Sequence, residues 1–166
     1  VAETVETVGD PHASTPRAPP KTFDWPLRST RRSMGEALKA LEVAKIECRG
    51  LRSADFMSKN DVYVVVKVVG RQKQAKTIIM HNAGSSVRID ETLTLHVTDA
   101  DLDAGFEFSA WDYDVASKDD LLGQAMLNVS DLRSKPNEPR LFELQLLYKG
   151  KPRGEVTCIV TLKMAA

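Results

Sequence analysis

Cysteine is almost absent from this chain: Cys48 and Cys158 are the only two in 166 residues. Two are too few for a disulfide scaffold or a cysteine-built zinc site. Both sit in apolar, strand-like runs, which reads as buried free thiols. Net charge is absent too. Lys plus Arg and Asp plus Glu number 23 each, so nothing marks the basic surface that nucleic acid demands, and no nucleic-acid partner is expected. No apolar run reaches the roughly 18–20 residues of a membrane-crossing helix, so no transmembrane segment is expected. Neither a glycine-rich phosphate loop nor a nucleophile elbow occurs. His81 and His96 have no acidic or thiol companions beside them in the sequence. The chain is therefore expected not to be an enzyme.

What is present divides in two. Residues 1–35 hold Pro11, Pro16, Pro19, Pro20 and Pro26 and lack apolar periodicity, which predicts an irregular proline-rich extension. Within it, FDWPLRSTRRS sets Phe23 and Trp25 beside Arg28, Arg31 and Arg32. Aromatic anchors next to arginines suit docking on a protein surface or an anionic membrane. Residues 36–166 read as β throughout, in segments such as ALEVAKIEC, DVYVVVKVV, QAKTIIM, RIDETLTLHV, FEFSAWDYD, LLGQAMLNVSDL, LFELQLL and GEVTCIVTLKM. Turn chemistry separates them, and DADLDAG reads as one such turn. The expectation is all-β, an eight-stranded antiparallel β-sandwich. Phe106, Phe108 and Trp111 are expected in its core.

One stretch, AWDYDVASKDDLLG, packs Asp112, Asp114, Asp119 and Asp120 around Ser117. Alone it is either a solvated turn or part of a metal cage. A second acidic loop, SADFMSKNDVYV, supplies Asp55 and Asp61. Loops at one end of a sandwich meet in space although distant in sequence. Carboxylates, a hydroxyl and loop carbonyls suit calcium, which takes six to eight oxygen ligands. Zinc would want His or Cys, and neither lies in these loops.

These segments together resemble the C2 domain, the calcium-dependent lipid-binding β-sandwich with Greek-key connections. ALEVAKIECRGL resembles its first core strand, ADFMSKNDVYVVV its D-x5-D loop and following strand, and AKTIIM its K-T strand. DETLTLHV resembles its N-E-x-F-x-F strand, and WDYDVASKDDLLG its D-x-D-x2-S-x2-D-x2-G signature. The resemblance implies Ca2+ held by Asp55, Asp61, Asp112, Asp114 and Asp120, with Ser117 as a further oxygen ligand. The carbonyls of Ala54, Tyr113 and Lys118 are the implied backbone donors, and Asp119 falls on a non-ligand position. It also implies a membrane-facing tip at Phe56, Met57, Val115 and Ala116. The family's usual proline after the second aspartate is Val62 here, and its aromatic-Asn pair is Ile89-Asp90. GEVTCIVTLKM supplies an extra strand at the end, which resembles the phospholipase-type (type II) strand order.

Arg71, Lys73 and Lys76 make a basic stretch of the kind C2 domains use for phosphoinositides or acidic partners, although lysines on an edge strand also simply discourage aggregation. The expected function is a non-catalytic module that binds calcium at its loop tips and docks on acidic phospholipid or a protein partner. The alternative is an accessory subunit that uses fold and extension as a docking scaffold in a larger assembly. A peripheral position on the cytoplasmic side of a membrane is expected. The start at Val1 leaves open an organellar address after leader removal, or a longer parent chain.

Overall fold

Alternating and β-branched residues from Lys39 onward form nine strands in the computed structural model, which describes residues 39–164. The proposed docking residues Phe23, Trp25, Arg28, Arg31 and Arg32 lie outside the described residues, as does the extension 1–35. The strands are β1 (Lys39–Arg49), β2 (Val62–Val68), β3 (Gln74–Lys76), β4 (Val87–Ile89), β5 (Leu93–Val97), β6 (Phe106–Asp112), β7 (Asp120–Leu127), β8 (Arg140–Tyr148) and β9 (Lys151–Met164). Their order is β3-β2-β6-β7-β8-β9-β1-β4, with β5 also on β1. Every pairing is antiparallel. Between β7 and β8 the ladder narrows to a single pair, Gln124↔Leu147. There the sheet folds over and closes its two halves on one core.

That core holds Leu41, Val43, Ile46, Val64, Phe106, Phe108, Leu122, Leu146, Val160 and Leu162, all essentially inaccessible to water. Each such side chain contributes roughly 1.5–3 kcal/mol on burial. Strand β2 is buried on both faces, as its unbroken valine run predicts. Cys48 and Cys158 are free and buried, and burial pushes both thiols up to about 12.

The count is nine strands rather than eight because RIDETLTLHV is split. Ile89 pairs with Ile46 and Leu93 with Val43, so three residues lie opposite two. Strand β1 bulges there, with Lys45 at φ 52. DADLDA is a short helix, α1 (Asp99–Ala104), rather than a plain turn. Thr98 caps it, and the Thr98 N–H donates in turn to the Asp101 carboxylate. QAKTIIM pairs regularly only over Gln74–Lys76, because the Val64 N–H donates to Thr77 Oγ1 at 2.9 Å, and the segment meets β2 again at the Val62↔Met80 bridge.

Candidate metal centre at the loop end

The period of two in β6 sets the floor of the acidic site. Phe106, Phe108, Ala110 and Asp112 share one face. The first three fill the core, and Asp112 carries that row to the loop end with only 5% of its surface exposed. Trp111 faces the other way. It is half-buried in an open groove with Tyr63 and Lys76, and its Nε1–H donates to Ser109 Oγ at 2.9 Å. The expectation that it fills the core is corrected by that alternation.

Around Asp112 the two acidic loops meet. The Asp61 N–H donates to Asp112 Oδ1 at 2.6 Å, and the Tyr113 N–H donates to the Asp61 carbonyl at 2.8 Å. Asp120 is the cross-strand partner of Asp112. Burial raises the Asp112 carboxyl above its usual range. The Asp61 N–H opposes that rise, and the charges of Asp55, Asp61 and Asp120 add to it. Four aspartates from three segments thus share one electrostatic environment.

The remaining proposed ligands are held locally. The Asn82 N–H donates to Asp61 Oδ1 at 2.7 Å, and Ser58 Oγ donates to Asp55 Oδ2 at 3.1 Å. Asp114 takes bonds from Ser117 Oγ and from the Ala116 N–H at 2.9 Å, and those bonds hold it below the usual carboxylate range. Asp114 and Ser117 therefore face each other within their own loop. Of the implied backbone donors, the Lys118 carbonyl lies 3.5 Å from Ser117 Oγ. The N–H groups of Ala54 and Tyr113 anchor their loops on Asn60 and Asp61. Among the described residues no three His, Cys, Asp or Glu side chains stand converged as a ready-made ion cage. The donor chemistry is nonetheless oxygen throughout, and that fits calcium rather than zinc.

Other residues matter here that composition did not reveal. Asn60 is 2% exposed and staples two loops together. Its side chain accepts from the Ala54 N–H and donates to the carbonyls of Arg52 and Gly84, at 3.2, 2.8 and 2.9 Å. A turn-forming Asn just before a strand was the only cue. Asp119 accepts from the Tyr63 hydroxyl and from the Asp114 N–H, so it fastens the second loop to β2. His81 Nδ1 lies 3.4 Å from Asp61 Oδ2, an acidic companion that sequence proximity could not show.

Phe56 and Met57 on the first loop and Val115 on the second are 99%, 90% and 88% exposed, and Ala116 is exposed beside Val115. The three basic residues 71, 73 and 76 make different contacts. Arg71 and Lys73 both pair with Asp101, whose side chain is wholly buried, at 2.7 and 2.5 Å. Lys76 lies over the Tyr63 ring at 4.2 Å.

Against known proteins, the family model of the C2 domain matches residues 39–144. Synaptotagmin-2 of Arabidopsis thaliana is 23% identical over 138 residues, which are 83% of this chain and 25% of that protein. Elicitor-responsive protein 1 of Oryza sativa subsp. japonica is 31% identical over 109 residues, covering 63% of this chain and 67% of its own length. The chain therefore spans a quarter of the first relative and two thirds of the second. Among solved structures, the C2A domain of plant Extended Synaptotagmin 1 superposes with a TM-score of 0.66 at 22% identity, over 78% of this chain and 98% of that one.

Proposed function

The chain belongs to the C2 domain family, and on that premise we propose that it is a non-catalytic module that binds calcium at its loop end and docks on acidic phospholipid. The observation that carries this reading is a buried Asp112 that accepts from the Asp61 N–H and lies across from Asp120, next to the exposed Phe56, Met57 and Val115. Asp55, Asp61, Asp112, Asp114 and Asp120 would hold the ion, with Ser117 and the carbonyls of Ala54, Tyr113 and Lys118. Bound calcium would supply positive charge among the carboxylates of the two loops. Asp112 repels its neighbours until that charge is balanced. Phe56 and Met57 present apolar surface beside the site, suited to the headgroup boundary of a bilayer. The position of β9 between β1 and β8 supports the phospholipase-type strand order. A peripheral place on the cytoplasmic side of a membrane goes with this reading.

Cosedimentation with phosphatidylserine vesicles tests it. At physiological salt, calcium should raise pelleting several-fold above the level in chelator, and Asp112→Asn combined with Asp114→Asn should abolish that rise. Equal pelleting in calcium and chelator would sink the reading. The docking-subunit alternative rests on FDWPLRSTRRS in the sequence. Protection of that segment from protease in the native assembly would favour it.

A further inference from the structure

The loop end carries positive charge that the calcium reading does not use. Strands β8 and β9 are joined by Lys149 at φ 50 and Gly150 at φ 74, a pair of left-handed residues that matches the twist of a tight hairpin. The last pair of β9 with β1 at this end is Arg49↔Glu155. Lys151–Gly154 therefore extend beyond β1 by roughly 13 Å of strand. Gly154, at φ +105, lets the hairpin cross the end of β1, because a Cβ there would come within 2.7 Å of the Arg49 carbonyl oxygen.

Arg52 fastens this hairpin to the acidic loops. Its guanidinium donates to the Leu121 carbonyl and lies over the Tyr148 ring at 3.9 Å, while Lys149 Nζ is 5.3 Å from the same ring. The Gln124↔Leu147 pair sets the turn level with Leu121 to Gly123, one step from Asp120. Lys149, Lys151 and Arg153 are exposed, and no ion pair among the described residues engages them. The next acid along the strand, Glu155, faces Arg49 in the ladder.

We propose that the Tyr148–Arg153 hairpin is a calcium-independent contact for the headgroups of an acidic bilayer, made by Lys149, Lys151 and Arg153. The occupant follows from the surroundings. The β1–β2, β6–β7 and β8–β9 connections emerge at one end, so the cations stand beside the exposed apolar tips of the first two. An anionic bilayer offers phosphate to the cations and an apolar interior to the tips, whereas an acidic protein surface answers only the cations. This rests on the bilayer-facing orientation of the proposed function but not on its calcium.

The test uses the whole chain with vesicles of phosphatidylcholine and phosphatidylserine in equal parts, in chelator and in calcium, at low and high salt. In chelator at low salt the chain should pellet, and salt should release it. The combined Lys149→Gln, Lys151→Gln and Arg153→Gln variant should weaken binding by on the order of fivefold per charge, equally with and without calcium. Lys149→Arg with Lys151→Arg and Arg153→Lys should bind like the parent, which separates charge from folding. The inference is overturned if the glutamine variant binds like the parent in chelator. It is also overturned if the parent fails to bind in chelator while calcium-dependent pelleting persists. Loss of the calcium effect alone, with the chelator arm still sensitive to the glutamine variant, counts against the calcium reading and supports this one.

Discussion

Asp112 sits where a core-facing row of β6 runs out into an acidic loop end, and its carboxyl is raised by burial and by three neighbouring aspartates. A raised carboxyl holds its proton more tightly in the folded state than in the unfolded one. Its contribution to stability therefore appears as pH falls through the raised folded-state value and is missing at neutral pH. In chelator at pH 7, Asp112→Asn is expected to raise the melting temperature, and the same variant should lose the rise that calcium gives the parent. Differential scanning fluorimetry across pH checks both. A calcium-free variant no more stable than the parent would show that the repulsion at Asp112 is negligible. The aspartates were legible in the sequence because their spacing is distinctive. The local partners of Asp114 and Asp119 were not, because they depend on how each loop turns back on itself.

At the scale of the element, α1 and the β2–β3 turn are locked by one residue. Asp101 is buried in α1, which alone would raise its carboxyl. The bonds from Lys73 and the Thr98 N–H outweigh that and hold it lowered. A lowered carboxyl stabilises the fold above the unfolded value of 3.8, and that stability is lost as pH falls below it. Asp101→Ala removes the reciprocal half of a capping box and leaves two cations without their partner. It should cost about 2–3 kcal/mol, read as a lower urea midpoint at unchanged slope. DADLDAG was legible as a turn, and its helix was hidden because one capped turn and a half has no periodicity to read. RIDETLTLHV was legible as a strand. Its break was hidden because it shows only in the register against another strand, β1, where three residues lie opposite two.

For the whole molecule, the exposed tips should be separable from the fold. Phe56→Ser with Met57→Ser changes side chains that are 99% and 90% exposed. Stability should stay within about 0.5 kcal/mol of the parent by urea unfolding, while calcium-dependent vesicle pelleting falls several-fold. Unchanged pelleting would place the bilayer contact elsewhere. Alternation of apolar residues and turn chemistry determined, from the sequence alone, an all-β chain with a core of valine, leucine and phenylalanine. Spacing determined which aspartates are candidates for calcium, because short-range order survives without a structure. Only the tertiary structure decided that Arg71 and Lys73 are bound to a buried acid, that Trp111 looks outward, and that the Lys149–Arg153 hairpin stands beside the acidic loops. Those relations join residues some 30 to 100 positions apart in the chain. They are set by which strands pair and which way each side chain points, and local composition carries neither.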